Sequence, residues 1–227
     1  MNHFLSRDTS LKVLSNIQRS TLPFVYDYEK HRIIISDEKG EEIIYFRLPI
    51  VFPPPAISGI PDDTQVNYLI LLIQSGSCAI GYFENGHNLD HKVFRAYMVR
   101  MKQGKSQVKY LKTKGKSRAG SRVRLAETVE FFENINQRLR AYAGDYPIHR
   151  IAISWSKILI PYFFQSKVTP PFDKHDSRLF YIPRHIHTPN YEILLDTNKF
   201  LLKGELIYDE RHQDLVNILM GEGSAIF

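Results

Sequence analysis

The stretch Tyr68-Leu-Ile-Leu-Leu-Ile73 decides the fold, because it is a continuous apolar run of strand length. Such a run is typical of a strand that is buried on both faces of a sheet. Two further segments, 77–83 and 91–100, flank the dipeptide Asn85-Gly86, which favours a tight hairpin turn. The sequence therefore predicts a central buried strand followed by an antiparallel hairpin.

Helical patterns accompany this sheet along the chain. Residues 121–142 carry apolar side chains at three- and four-residue steps, which predicts an amphipathic helix of about six turns. Further along, 150–155 and 178–183 are typical of strands, whereas 157–165, 191–202 and the region around 215–220 are typical of helices. Strands that alternate with helices indicate an α/β fold, so we expect a mixed β-sheet with flanking helices.

The N-terminal region predicts a separate module. Residues 6–20 have helical spacing of apolar side chains, and residues 32–46 have the pattern of a β-hairpin that turns at Asp37–Gly40. Five prolines between positions 49 and 61 then disfavour regular structure. We therefore expect a helix and hairpin module with a proline-rich connector over residues 1–60, and a main domain over residues 61–227.

One segment carries the positive charge of the chain. Between Arg95 and Arg124 there are eleven Lys or Arg and no Asp or Glu, whereas the remaining nineteen bases face all 24 acids. The net charge is +6, so the rest of the chain is negative. A polycationic segment cannot bury its charges and must be solvated or lie against a polyanion. We interpret residues 95–124, the basic segment, as a contact for nucleic acid; the alternative is a role in solubility or nonspecific RNA affinity.

Composition bounds the class of protein. The 227 residues are 43% hydrophobic, which allows a packed core and excludes wholesale disorder. The single cysteine, Cys78, excludes an internal disulfide and is expected in the core rather than as a nucleophile. The start of the chain lacks an apolar signal core, and no apolar run is long enough to span a membrane. We expect a cytoplasmic protein with no membrane partner.

Motifs for cofactors are weak in this sequence. Thr113-Lys-Gly-Lys-Ser117 is only superficially like a phosphate-binding loop, because Tyr110 stands where the required spacing has glycine. His185 and His187 lack cysteine or carboxylate partners at ligand spacing. We therefore expect no metal, no nucleotide and no other cofactor.

Two stretches that overlap the ends of the basic segment resemble a known family. These are His91-Lys-Val-Phe-Arg-Ala-Tyr-Met-Val-Arg-Met-Lys-Gln-Gly-Lys-Ser-Gln107 and Ala119-Gly-Ser-Arg-Val-Arg-Leu125. They resemble the Vms-like release factors, whose hallmark Lys-Gln-Gly-Gly-Ser-Gln is similar in role to the Gly-Gly-Gln loop of eukaryotic class-one release factors. Residues 181–190 also look like the family's late strand and loop. The resemblance spans roughly 65–202 and implies a release-factor-like catalytic domain in residues 61–227 of a bacterial, stand-alone member.

This resemblance implies a peptidyl-tRNA hydrolase that releases nascent chains from tRNA on stalled large ribosomal subunits. It places the catalytic glutamine at Gln107, with Gly104 and Ser106 as loop support. Lys105 stands where the hallmark has its second glycine, so the backbone approaches RNA less closely or the lysine adds a phosphate contact. The residues expected to bind RNA are Arg100, Lys102, Gln103, Lys109, Lys112, Lys114, Lys116, Arg118, Arg122 and Arg124.

A glutamine could serve this chemistry without acting as a base. Its amide does not titrate near neutral pH, but it can orient a water molecule and donate a hydrogen bond to a developing oxyanion. The expected partners are the large ribosomal subunit and peptidyl-tRNA. Two alternatives are a noncatalytic factor that binds RNA or the ribosome, and an RNase that cleaves the 3′ CCA end of tRNA.

Overall fold

The computed structural model describes residues 1–55, 66–96 and 119–222, and in the last range it describes side chains from residue 126 onward. The chain divides into two compact units: Met1–Val66 with Thr197–Phe227, and Asn67–Asp196. The strands are β1 (Asn2–Leu5), β2 (Phe24–Asp27), β3 (Arg32–Ser36), β4 (Glu42–Arg47), β5 (Tyr68–Gln74), β6 (Ser77–Glu84), β7 (His87–Arg95), β8 (Arg150–Trp155), β9 (Leu179–Tyr181) and β10 (Gly204–Tyr208). The helices are α1 (Arg7–Arg19), α2 (Ala119–Asp145), α3 (Ile160–Phe164), α4 (Tyr191–Leu201) and α5 (Gln213–Met220).

The second unit is built on a mixed sheet with the strand order β7-β6-β5-β8-β9. β5 pairs antiparallel with β6 and parallel with β8, and the side chains of Tyr68–Ile73 are fully buried. β6 pairs antiparallel with β7 through a two-residue turn in which Asn85 and Gly86 both have positive φ. The predicted central strand and hairpin are confirmed, although β7 begins at His87, four residues earlier than expected, because the turn is so short.

Helix α2 covers one face of this sheet. Phe132, Ile135, Leu139 and Tyr142 are buried against strand residues of β5, β6 and β8, as the periodicity predicts. Val129 fits the same spacing but is exposed, because a helix with 3.6 residues per turn places Thr128 and Phe131 on the buried stripe instead.

The first unit is an antiparallel sheet with the strand order β1-β10-β4-β3-β2. Helices α1 and α5 pack on it, with Val13, Leu14 and Ile17 of α1 in one core cluster with Val216 and Leu219 of α5. The predicted N-terminal helix and the hairpin of β3 and β4 are confirmed. The mixed β-sheet with flanking helices, predicted as the fold class, is also confirmed.

The compact units follow a different division from the predicted domains toward the C-terminus. The prediction places residues 197–227 in the main domain, whereas Thr197 and the described residues after it belong to the first unit. The cause is β10, a strand that the sequence patterns did not predict, which pairs with β1 on one side and β4 on the other. These partners lie far away in the chain, so no local pattern reveals the pairing. None of the helices in the described ranges is long and apolar enough to cross a membrane.

Candidate nucleic-acid interface

Most of the predicted site residues lie outside the described residues. These are Arg100, Lys102, Gln103, Gly104, Lys105, Ser106, Gln107, Lys109, Lys112, Lys114, Lys116 and Arg118. Arg122 and Arg124 belong to the first turns of α2, where the structure describes the backbone alone. What it does describe is how the two ends of the basic segment are held.

The first end is held by the hairpin of the second unit. Arg95, the last residue of β7, pairs with Ser77. The next backbone N–H, that of Ala96, donates a hydrogen bond to the carbonyl oxygen of Gly76 at 3.0 Å. Gly76 has a φ of 78°, which glycine adopts without strain in the turn between β5 and β6. The segment therefore starts from a hydrogen-bonded position at the end of the edge strand β7.

The second end continues into α2, which is anchored at several points. The buried Asn136 amide donates to the carbonyl oxygens of Phe163 at 2.9 Å and Val168 at 2.8 Å, which ties α2 to α3 and the chain after it. Arg138 forms an ion pair with Asp90, which ties α2 to β7. Both ends of the basic segment are thus held by rigid elements.

The strand directions place several chain segments at one edge of this sheet. β5, β7, β8 and β9 run in the same direction, since β6 is antiparallel to both of its neighbours and β8 and β9 are parallel to β5. The carboxyl ends of these strands therefore share an edge, and the basic segment leaves from it. In open α/β sheets this edge is where ligands usually bind.

A cleft of about 570 Å³ lies between the end of β7 and α2. Its polar lining includes Arg95 and, on α2, Glu127, Glu130 and Asn134, while Phe94 is among its apolar residues. The two carboxylates are three residues apart and therefore lie on the same side of the helix. Since carboxylates repel phosphate, the cleft itself does not suit a nucleic-acid backbone. Binding of phosphate is left to the cationic side chains.

The structure also describes the environments of Cys78, His185 and His187, the remaining candidate residues from the sequence. Cys78 is fully buried in β6, and this burial raises the pKa of its thiol well above the ordinary value, as expected for a core residue. His185 and His187 contact each other edge to face, with ring centroids 4.4 Å apart. Among the described residues, no group of three or more His, Cys, Asp or Glu could hold a metal ion.

Sequence reasoning missed the ring contact between His91 and Tyr191. The two rings are stacked, with their centroids 3.7 Å apart and an angle of 17° between their planes. The residues are a hundred positions apart, so their spacing gives no signal.

Comparison with known proteins identifies the class. Residues 68–208 match the family described as bVLRF1, Bacteroidetes VLRF1 release factor. The match runs from the first residue of β5 to the last residue of β10 and includes the whole basic segment. The protein belongs to the bVLRF1 family, which confirms the predicted relationship to Vms-like release factors of bacterial type and supports a role in release or rescue at the ribosome.

One solved structure with a similar chain is titled "Vms1 mitochondrial localization core". The two chains share 12% sequence identity with a TM-score of 0.44, and the alignment covers 89% of this chain and 84% of that one. No curated protein matches the chain.

Proposed function

We propose that this protein is a peptidyl-tRNA hydrolase that releases nascent chains from tRNA on stalled large ribosomal subunits. The observation that carries the proposal is the release-factor family match over residues 68–208, which contains the basic segment with its Lys102-Gln-Gly-Lys-Ser-Gln107 stretch. The expected partners are the large subunit and its peptidyl-tRNA. A cationic segment on a rigid scaffold fits both, because each presents a phosphate backbone.

In this proposal Gln107 performs the chemistry by positioning. Peptidyl-tRNA carries an activated ester, so a well-oriented water and a donor to the oxyanion are enough to accelerate its hydrolysis. Gly104, Lys105 and Ser106 shape the backbone around Gln107. The reaction then requires no metal and no cofactor from the protein.

The cations of the segment hold the RNA in register. Phosphate contacts from Lys and Arg fix the position of a nucleic acid without reading its sequence. The proposed contacts are Arg100, Lys102, Gln103, Lys109, Lys112, Lys114, Lys116, Arg118, Arg122 and Arg124. Such contacts suit a factor that must act on any tRNA.

The decisive experiment exchanges Gln107 for alanine. We expect release of peptide from peptidyl-tRNA on large subunits to fall about 10²- to 10³-fold, as when one preorganised oxyanion donor is lost. Binding to the subunit should survive. Thermal unfolding should change by no more than about 0.5 kcal/mol, as for other surface substitutions. Gln137, an exposed glutamine on α2, provides the matched control, since Gln137→Ala should leave release unchanged.

The tRNA product distinguishes the alternatives. An intact CCA end after release means ester hydrolysis, whereas a shortened end means that the protein is an RNase. Unchanged peptidyl-tRNA bound to the protein means a noncatalytic binding factor. If Gln107→Ala binds normally and releases peptide at the wild-type rate, the catalytic role of Gln107 is wrong.

A further inference from the structure

We infer that the stacked rings of His91 and Tyr191 form a platform for a base of single-stranded RNA, beside the start of the basic segment. The choice of RNA rests on the proposed function, in which the basic segment contacts tRNA and the ribosome. The platform itself consists of described residues of the second unit. It adds to the phosphate contacts a second kind of contact, with the face of a base.

Helix α4 approaches the sheet closely beside the platform, at a glycine of β6. Gly81 pairs with His91 across the sheet, and it lies directly under Leu194 of α4. A Cβ atom at Gly81 would come within 2.8 Å of Leu194 Cδ2, so any larger residue here would force the Leu194 side chain to shift. Tyr191 precedes Leu194 by three residues, which places both on the same side of α4. The close packing of α4 on the sheet therefore brings the ring of Tyr191 into contact with the ring of His91.

Hydrogen bonds at the start of α4 fix the position of Tyr191 in the absence of a ligand. The side-chain oxygen of Asn190 accepts a hydrogen bond from the Ile193 backbone N–H at 2.8 Å, which caps α4 just before Tyr191. The Asn190 carbonyl oxygen also accepts from the Leu194 N–H at 3.0 Å. A side chain with few free torsions on a capped helix loses little entropy when a ligand stacks on it.

Both rings remain accessible to a ligand. Tyr191 is 38% exposed and His91 is also exposed. Stacking of a base on an aromatic ring is favourable for every base, because each base has a π-face. An exposed aromatic pair at the surface of a sheet is therefore suited to an unpaired base rather than to a duplex, whose bases are already stacked.

The platform is continuous with the start of the basic segment. Alternate residues of a strand share a face, so His91, Val93 and Arg95 lie on the same side of β7. Arg95 is exposed and lies roughly 14 Å along the strand from His91. A short single strand of RNA can therefore place a base on the rings while its backbone continues toward the start of the basic segment.

Local charge explains why stacking dominates at the platform. Asp90 lies on the opposite face of β7 and is paired with Arg138. The exposed Glu192 beside Tyr191 offsets part of the positive charge from Arg95. The rings thus hold a base without a strong contribution from phosphate, and their loss should not alter the salt dependence of binding.

The test is fluorescence anisotropy with a labelled single-stranded RNA of about ten nucleotides, a length within the usual site size. A second RNA of the same length lacks its bases and keeps all its phosphates. Tyr191→Ala should weaken binding of the complete RNA about 5- to 100-fold. The slope of log affinity against log salt should stay unchanged, and Tyr191→Phe should bind like the wild type. Tyr28→Ala is the control, because Tyr28 is an exposed tyrosine of the first unit.

Two results would overturn the platform. One is wild-type affinity in Tyr191→Ala; the other is equal affinity of the wild-type protein for complete and abasic RNA. Tyr191→Leu guards against a folding defect, since it keeps an apolar contact on α4 and should still lose binding. Peptide release by the wild type is measured separately and distinguishes the two proposals. If the wild type hydrolyses peptidyl-tRNA but Tyr191→Ala does not weaken RNA binding, the platform alone is overturned. If Tyr191→Ala weakens RNA binding but the wild type does not hydrolyse peptidyl-tRNA, the proposed function alone is overturned.

Discussion

Exchange of Glu205 for glutamine should destabilise the first unit by about 3 to 5 kcal/mol. Arg47 and Glu205 lie opposite each other on β4 and β10, and they are only 4% and 6% exposed. The Glu205 carboxylate accepts a hydrogen bond from Arg47 Nε at 3.1 Å and another from Asn2 Nδ2 at 3.1 Å. This one side chain therefore links β10 to both neighbouring strands.

The magnitude follows from the geometry of the pair. Two unit charges 3.1 Å apart attract each other by about 5 kcal/mol at an effective dielectric constant of about 20. Glutamine keeps the shape and an acceptor but removes the charge, so Arg47 would remain buried and uncompensated. Burial already lowers the pKa of Arg47 despite the opposing effect of Glu205. Among the described residues, no group accepts a hydrogen bond from its Nη1 or Nη2, and its Cζ lies 4.4 Å from the Phe200 ring centroid.

Equilibrium unfolding in urea measures this effect with two probes. Far-UV circular dichroism reports on both units, whereas the fluorescence of the single tryptophan, Trp155, reports on the second unit. Asp27→Asn is the matched control, because the pair of Asp27 and Arg32 is partly exposed and should contribute less than about 1 kcal/mol.

A double variant tests the cause of the destabilisation. Replacing Arg47 by Met together with Glu205 by Leu removes both charges, so it should recover most of the stability that Glu205→Gln loses. The reasoning is refuted if Glu205→Gln unfolds at the wild-type midpoint. It is also refuted if the double variant is as unstable as the single one, because an unpaired charge would then not be the cause.

Two further predictions concern the basic segment and the packing of α4. Exchange of Lys112, Lys114 and Lys116 for alanine should weaken binding to tRNA or large subunits. In a salt titration, the slope of log affinity against log salt should become shallower by about 0.7–0.9 per lost phosphate contact. An unchanged slope would mean that these lysines are merely solvated. Gly81→Ala should lower stability by about 1–3 kcal/mol in thermal unfolding, because its Cβ would clash with Leu194, and Leu194→Ala in the same chain should relieve part of that cost. Wild-type stability of Gly81→Ala would show that the helix shifts freely.

The parts of the fold that were predictable have strong local patterns. Tyr68–Ile73 is apolar at every position, and burial on both faces of a central strand requires this. The dipeptide Asn85-Gly86 tolerates the positive φ angles of a two-residue turn, so it also specifies the hairpin. The stripe on α2 was visible because helical periodicity extends over many residues, and among its described side chains only Val129 departed from it.

The missed strands are short and depend on distant partners. β1 and β2 have four residues each, too few for a clear alternation. β10 is held between β1 and β4, and the contact of Arg47 with Glu205 joins residues that are 158 positions apart. Such pairing is a property of the assembled sheet, so the sequence alone did not reveal that Gly204–Tyr208 joins the sheet of the first unit.

By itself, the sequence determined where the positive charge lies and which glutamine matches the release-factor hallmark, because charge and motif depend only on the order of residues. Gln107 and its neighbours remain a prediction, since they lie outside the described residues. Only the tertiary structure decided that Tyr191 rests on His91 and that Glu127 faces the same cleft as Arg95. The physical reason is that these contacts arise where α4 approaches Gly81 and α2 crosses the end of β7, and that proximity exists only once the sheet and helices have packed.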